Sequence, residues 1–98
     1  MKAILNIYAD CTSEQPTKTY TCHRLLLGVS VKIEELQKKI NETKDAKEQE
    51  KYTLQIIKTI FPTFDEEEFY SIDPIEWIEF CNAITSASTQ VQQAAIKN

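Results

Sequence analysis

Residues 60–80 read IFPTFDEEEFYSIDPIEWIEF, and the way this stretch divides sets the fold. It places seven carboxylates among large apolar side chains and contains no lysine or arginine. Pro62 lacks the N–H that a helix interior needs, so any helix arriving from upstream stops there. Thr63 followed by Glu66 has the T-x-x-E spacing of a capping box, and the acids at 65–68 suit the positive end of a helix dipole. A short acidic helix is therefore predicted from about Thr63. Asp73, Pro74 and Glu76 repeat the pattern, with Asp as cap, Pro at the first helical position and Glu at the third. A second helix is predicted to start at this point.

Downstream of that start, Trp77, Cys81, Ile84, Ser88, Val91 and Ala95 follow alternating spacings of four and three, flanked by Phe80, Ala83 and Ala87. The stripe weakens toward its end, so residues 86–98 are expected to be helical only when something packs on them. Upstream, Tyr52, Ile56 and Ile60 form one helical row, with Leu54, Ile57 and Phe61 on the adjacent one. Val29, Ile33, Leu36 and Ile40 give a further amphipathic helix between Leu25 and Asn41, with Glu34/Lys38 and Glu35/Lys39 pairs on its outer face. The charged run NETKDAKEQEK, 41–51, reads either as a solvated connection or as the exposed first turns of the next helix. At the amino end, residues 3–11 alternate, with Ala3, Leu5, Ile7, Ala9 and Cys11 on one side. KTYTCH, 18–23, is rich in Thr and Tyr, so two strands joined by a longer loop than a two-residue turn are expected.

These elements add up to a mainly α fold. It is a single small helical domain over 1–98 with three to four helices and a short N-terminal β-hairpin. Residues 1–24 form the extended start, 25–61 the two amphipathic helices, and 63–96 the short acidic helix and the C-terminal helix. A chain of 98 residues, 42% hydrophobic and 27% charged, fits one modest core.

Composition also excludes several functions. A net charge of -4 repels phosphate backbones and anionic lipid, so neither nucleic acid nor a membrane is expected as partner. The opening MKAILNIYAD is too short and too polar for a secretory leader, and nothing later approaches a membrane span. Three widely spaced cysteines, Cys11, Cys22 and Cys81, suggest small buried hydrophobes in a reducing compartment rather than a disulfide framework. The Asn41-Glu42-Thr43 sequon has no export signal to give it meaning.

No catalytic, cofactor-binding or metal-binding residue is predicted. Setting Asp65 at the first position of a calcium loop puts Glu76 twelfth, but Tyr70 stands where that loop requires glycine and Pro74 intrudes. His23 beside Cys22 lacks the further spaced ligands of a zinc site and reads as a structural histidine. No G-x-S-x-G is present, and a single glycine leaves no phosphate-cradling loop. Lys38 and Lys39 are interleaved with acids, as on a solvated helix face. Two readings remain for the aromatic set Phe61, Phe64, Phe69, Tyr70, Trp77 and Phe80: either a core, or side chains lining a groove or subunit interface.

The order of these elements, with PTFDEEEFYSIDPIEWIEF and more weakly HRLLLGVSVKIEELQKKI, resembles the tail assembly chaperones of long-tailed phages of Gram-positive bacteria, most closely those of lactococcal phages. Where that family often has glycine after the aromatic-acidic segment, this chain has Ser71. The resemblance implies a mostly helical, non-enzymatic homo-oligomer. It would bind the long helical tape measure protein in the host cytoplasm, keep it soluble before the tail tube assembles, and be absent from the mature virion. Phe64, Phe69, Trp77, Phe80 and Ile84 are the residues expected to contact that partner. The competing expectation is a small acidic inhibitor or nucleic-acid mimic presenting Asp65, Glu66, Glu67, Glu68, Glu76 and Glu79.

Overall fold

The computed structural model describes the backbone of residues 1–97 and the side chains of residues 1–90. The element order is β1 (Ala3–Ile7), β2 (Lys18–Cys22), α1 (Leu27–Glu42), α2 (Ala46–Ile60), a 3₁₀ helix (Glu66–Ser71) and α3 (Pro74–Lys97). The mainly α domain with an N-terminal hairpin is thus the observed architecture.

β1 and β2 pair antiparallel in the register Ala3↔Cys22, Leu5↔Tyr20, Ile7↔Lys18. Period-two alternation sends Ala3, Leu5, Ile7, Tyr20 and Cys22 into the core. The strand ends at Ile7, earlier than the alternation suggested, and Ala9 and Cys11 are exposed. The cause is local: the Asp10 carboxylate accepts from the Thr12 N–H at 2.8 Å and from its hydroxyl at 2.5 Å, folding the chain into an Asx-type turn. Of the three cysteines, Cys22 is buried and Cys81 half-buried, whereas Cys11 is exposed, against the expectation for all three.

α1 and α2 form a helical hairpin joined by residues 43–45. The charged run therefore divides: Asn41 and Glu42 close α1, residues 43–45 are the connection, and 46–51 are the opening turns of α2. Asp45 caps α2 by accepting from the Lys47 N–H at 3.0 Å. α2 ends at Ile60, ahead of Pro62, with Ile56, Ile57 and Phe61 buried.

The next cap lies two residues later than the sequence pattern indicated. Asp65, not Thr63, accepts from the Glu67 N–H at 3.0 Å. The turn closed by Phe64 N–H to the Phe61 carbonyl, 3.0 Å, leaves Phe64 only 3% exposed, and the helix begins after that anchor. Ser71 in place of glycine costs nothing. Among the described residues none has positive φ, and Ile72 is extended, forming a bridge to Ile7 while the Tyr8 N–H donates to the Ser71 carbonyl at 3.0 Å.

α3 starts as expected. The Asp73 carboxylate accepts from the Ile75 N–H and its carbonyl from the Trp77 N–H, both at 2.8 Å. The helix runs for 24 residues along α1 and β1. Its core row combines Ile84 of the anticipated stripe with Phe80 and Ala87 of the flank, while Trp77, Cys81 and Ser88 are half-buried beside it. The expectation that residues 86–98 need a packing partner falls largely on side chains outside those described.

One apolar cluster joins all these elements, from Leu5 and Tyr20 through Leu36 and Ile57 to Phe80. Aromatic rings thread it continuously: Phe64 to Tyr20 at 5.3 Å, Tyr20 to Phe61 at 5.3 Å, Phe61 to Phe80 at 5.8 Å, and Phe80 stacked on Trp77 at 5.7 Å between centroids.

Candidate functional site

Where that aromatic chain ends at Trp77, the surface opens into a groove of about 500 Å³. α1 contributes Ile33, Gln37 and Ile40, and α2 contributes Thr53 and Ile56. α3 supplies Trp77, Phe80, Cys81, Ile84 and Ser88. From Trp77 to Thr89 the α3 wall rises about 18 Å, some three turns of a guest helix. The floor is apolar and the rim carries hydroxyls and amides, the usual character of a recognition groove.

The residues expected to contact a partner separate in the structure. Trp77, Phe80 and Ile84 line the groove, although Phe80 and Ile84 are only 2% and 4% exposed and so also belong to the core. Phe64 lies in the core beside Tyr20, and Phe69 is half-buried with its ring edge-on to Tyr70, away from the groove. These two residues are not placed with the other three. The α1 and α2 walls were missed as site residues, because Ile33, Ile40 and Ile56 carry the same helical periodicity as any core row. Only the packing of three helices distinguishes a groove wall from a sealed interior.

The acids of residues 65–79 are largely occupied within the molecule. Glu68 accepts from Lys18 Nζ at 3.2 Å and from the Tyr20 hydroxyl at 3.1 Å, tying the 3₁₀ helix to β2. The Tyr20 hydroxyl and the Glu68 carboxylate together raise the Lys18 ammonium above its usual pKa. Glu76 does not close a capping box. It accepts instead from Asn6 Nδ2 at 2.9 Å and from the Tyr8 hydroxyl at 2.5 Å, and that bond, with some desolvation, raises the Tyr8 phenol. Glu66 pairs with Lys58 at 2.8 Å. The Tyr70 hydroxyl donates to Glu50, which raises the Tyr70 phenol too. Among the described residues, no three of His, Cys, Asp and Glu gather so as to hold a metal ion. Among them also, no helix is long and apolar enough to cross a membrane.

A second concavity of about 590 Å³ lies between the hairpin loop and the start of α3, walled by Tyr8, Asp10, Glu14, Tyr70 and Asp73. Ala9, Cys11, Ile72 and Pro74 line it too, so its wall mixes apolar and polar groups.

Compared with protein-family models, curated proteins and solved structures, the chain matches none of them.

Proposed function

We propose that this protein is a tail assembly chaperone of the kind found in long-tailed phages of Gram-positive bacteria. It holds amphipathic segments of the tape measure protein in the groove between α1, α2 and α3 and keeps them soluble before the tail tube forms. It acts in the host cytoplasm, associates with copies of itself, and does not remain in the mature virion. The observation that carries this reading is the groove: an apolar floor of Ile33, Ile56, Phe80 and Ile84, open along about three helical turns and bounded by Trp77. A row of apolar side chains from a guest helix would replace water along that floor, while the acidic exterior keeps the complex dispersed.

The inhibitor reading is less well supported, since Glu66, Glu68 and Glu76 are engaged by Lys58, Lys18, Tyr20, Asn6 and Tyr8. A carboxylate-led interface loses affinity steeply as salt rises, whereas an apolar groove retains it.

Co-expression with a tape measure protein tests the proposal. The native chain is expected to keep that protein in the soluble fraction. Cys81→Arg and Thr85→Arg, which put charge and bulk on the half-buried and exposed groove wall, are expected to lose that effect while remaining folded. Equal cargo solubility with and without the chain, or with both variants, would remove the proposal.

A further inference from the structure

The β1–β2 sheet has two edges, and the chain covers the one on β1. Ile72 bridges to Ile7, the Tyr8 N–H donates to the Ser71 carbonyl at 3.0 Å, and α3 packs against the same strand. On the opposite side of β1 the Ile7 carbonyl accepts from the Thr17 N–H at 2.7 Å. Main-chain groups alternate in direction along a strand, so Ala3, Leu5 and Ile7 bond toward β2, and their register partners Cys22, Tyr20 and Lys18 bond back. Thr19 and Thr21 therefore turn their N–H and C=O groups away from β1. Among the described residues, no hydrogen bond reaches the main chain of either threonine from that side.

An unpaired strand edge is where another strand adds through main-chain hydrogen bonds. Edges are commonly blocked by a lysine or a proline, and the middle of β2 has neither. Its lysine, Lys18, is drawn back to Glu68 at 3.2 Å and lies 4.8 Å from the centroid of the Tyr20 ring. The Thr19 hydroxyl donates to Asn6 Oδ1 at 2.7 Å across the pair with β1, which keeps that side chain clear of the edge.

The edge is complementary to itself. Laid antiparallel on a second copy about a two-fold axis at Tyr20, Thr19 of each copy faces Thr21 of the other. Each such pair exchanges N–H to C=O in both directions and sets two β-branched side chains opposite one another. Lys18 then faces Cys22, so no like charges are opposed, whereas a parallel alignment in register would set Lys18 against its own copy. Residue i to j and j to i is the reciprocity of an isologous interface, and it closes: with the β1 edge covered within each chain, no strand edge is left for a third copy.

We propose that β2 pairs antiparallel with β2 of a second copy of this chain, joining the two hairpins into one continuous sheet through the main chains of Thr19 and Thr21. This deepens the self-association contained in the functional reading and rests on that part of it. No residue of β2 lines the groove between the helices, so cargo and second copy do not compete. The facing strands are short and bury well under the roughly 800 Å² per partner of a standard interface, so the pairing is reversible and depends on concentration.

Sedimentation velocity on the full chain alone, from micromolar to millimolar concentration, tests the proposal without cargo, so its failure leaves the cargo reading standing. The wild type is expected to move from monomer toward dimer, with amide exchange in residues 18–22 slowing as it does. Thr21→Pro removes a donor that the monomer does not use, and should weaken association about tenfold or more. A pair of double variants reads the register even if that proline disturbs the fold. Thr19→Lys with Thr21→Lys opposes like charges across the axis and should abolish the dimer, whereas Thr19→Lys with Thr21→Glu opposes unlike charges and should keep it. A chain that stays monomeric throughout, a dimer indifferent to a folded Thr21→Pro variant, or equal association of the two double variants would each overturn the proposal.

Discussion

Glu76 shows how a single side chain is redirected by tertiary structure. Its place at the third helical position after Asp73 suits a capping box, yet Asn6 and Tyr8, far away in sequence, take both carboxylate oxygens. Hydrogen bonds to a charged acceptor that is half-buried are worth more than neutral ones, so Glu76→Gln is expected to cost about 1–2 kcal/mol in urea unfolding. Unchanged stability would mean that the clamp between β1 and α3 contributes nothing. The cysteines give a second residue-scale outcome. Burial pushes the Cys22 and Cys81 thiols above their usual pKa, disfavouring the reactive thiolate, while Cys11 is exposed. Alkylation of the native protein near pH 8 should therefore label Cys11 first, with the other two labelled at Cys11-like rates only after unfolding. Asp10 behaves in the opposite sense. The Thr12 hydroxyl and N–H hold its carboxyl below the usual range, so the loop gains from it above the unfolded pKa and loses that gain as pH falls through the lower folded value. An NMR titration midpoint for Asp10 at or above 3.8 would contradict this.

Among the elements, α1 is the helix whose start is least well defined by its own residues. Leu26 at its N-cap position offers no side-chain acceptor, and Gly28 follows in the first turn. Gly28→Ala meets no neighbour and restricts the unfolded chain, so it is expected to stabilise the monomer by about 0.5–1 kcal/mol in thermal melts. Loss of stability there would show that a neighbouring group crowds this position. α3 is held at its start by Asp73 and farther along by the Ser30–Ser88 hydroxyl pair at 2.6 Å, which joins it to α1. Asp73→Ala should cost about 1 kcal/mol, the usual value of such a cap.

For the whole molecule, the hairpin is part of the core. Ala3, Leu5, Ile7, Tyr20 and Cys22 belong to the same apolar cluster as Ile57 and Phe80. A chain lacking residues 1–24 is therefore expected to lose its cooperative melt, since it would expose Phe61 and Phe64 to water. A cooperative transition in that truncation would show that the helices fold without the sheet. Phe80→Ala removes a ring that both fills the core and floors the groove, and it should cost about 3–5 kcal/mol, a large fraction of a small domain's stability.

The helices were legible in the sequence because their causes are local: Pro62 stops α2, Asp73 and Pro74 start α3, and apolar spacing fixes which faces of α1 and α2 are buried. The hairpin was legible from alternation, although Asp10 cut β1 short through a turn that alternation does not encode. Three things had to await the tertiary structure: which row of α3 is core and which is groove wall, the partners of Glu68 and Glu76, and the start of the 3₁₀ helix after the buried Phe64. Each depends on atoms brought together from distant parts of the chain. Asn6 and Glu76 are 70 residues apart, and no periodicity or cap chemistry at either position carries information about the other.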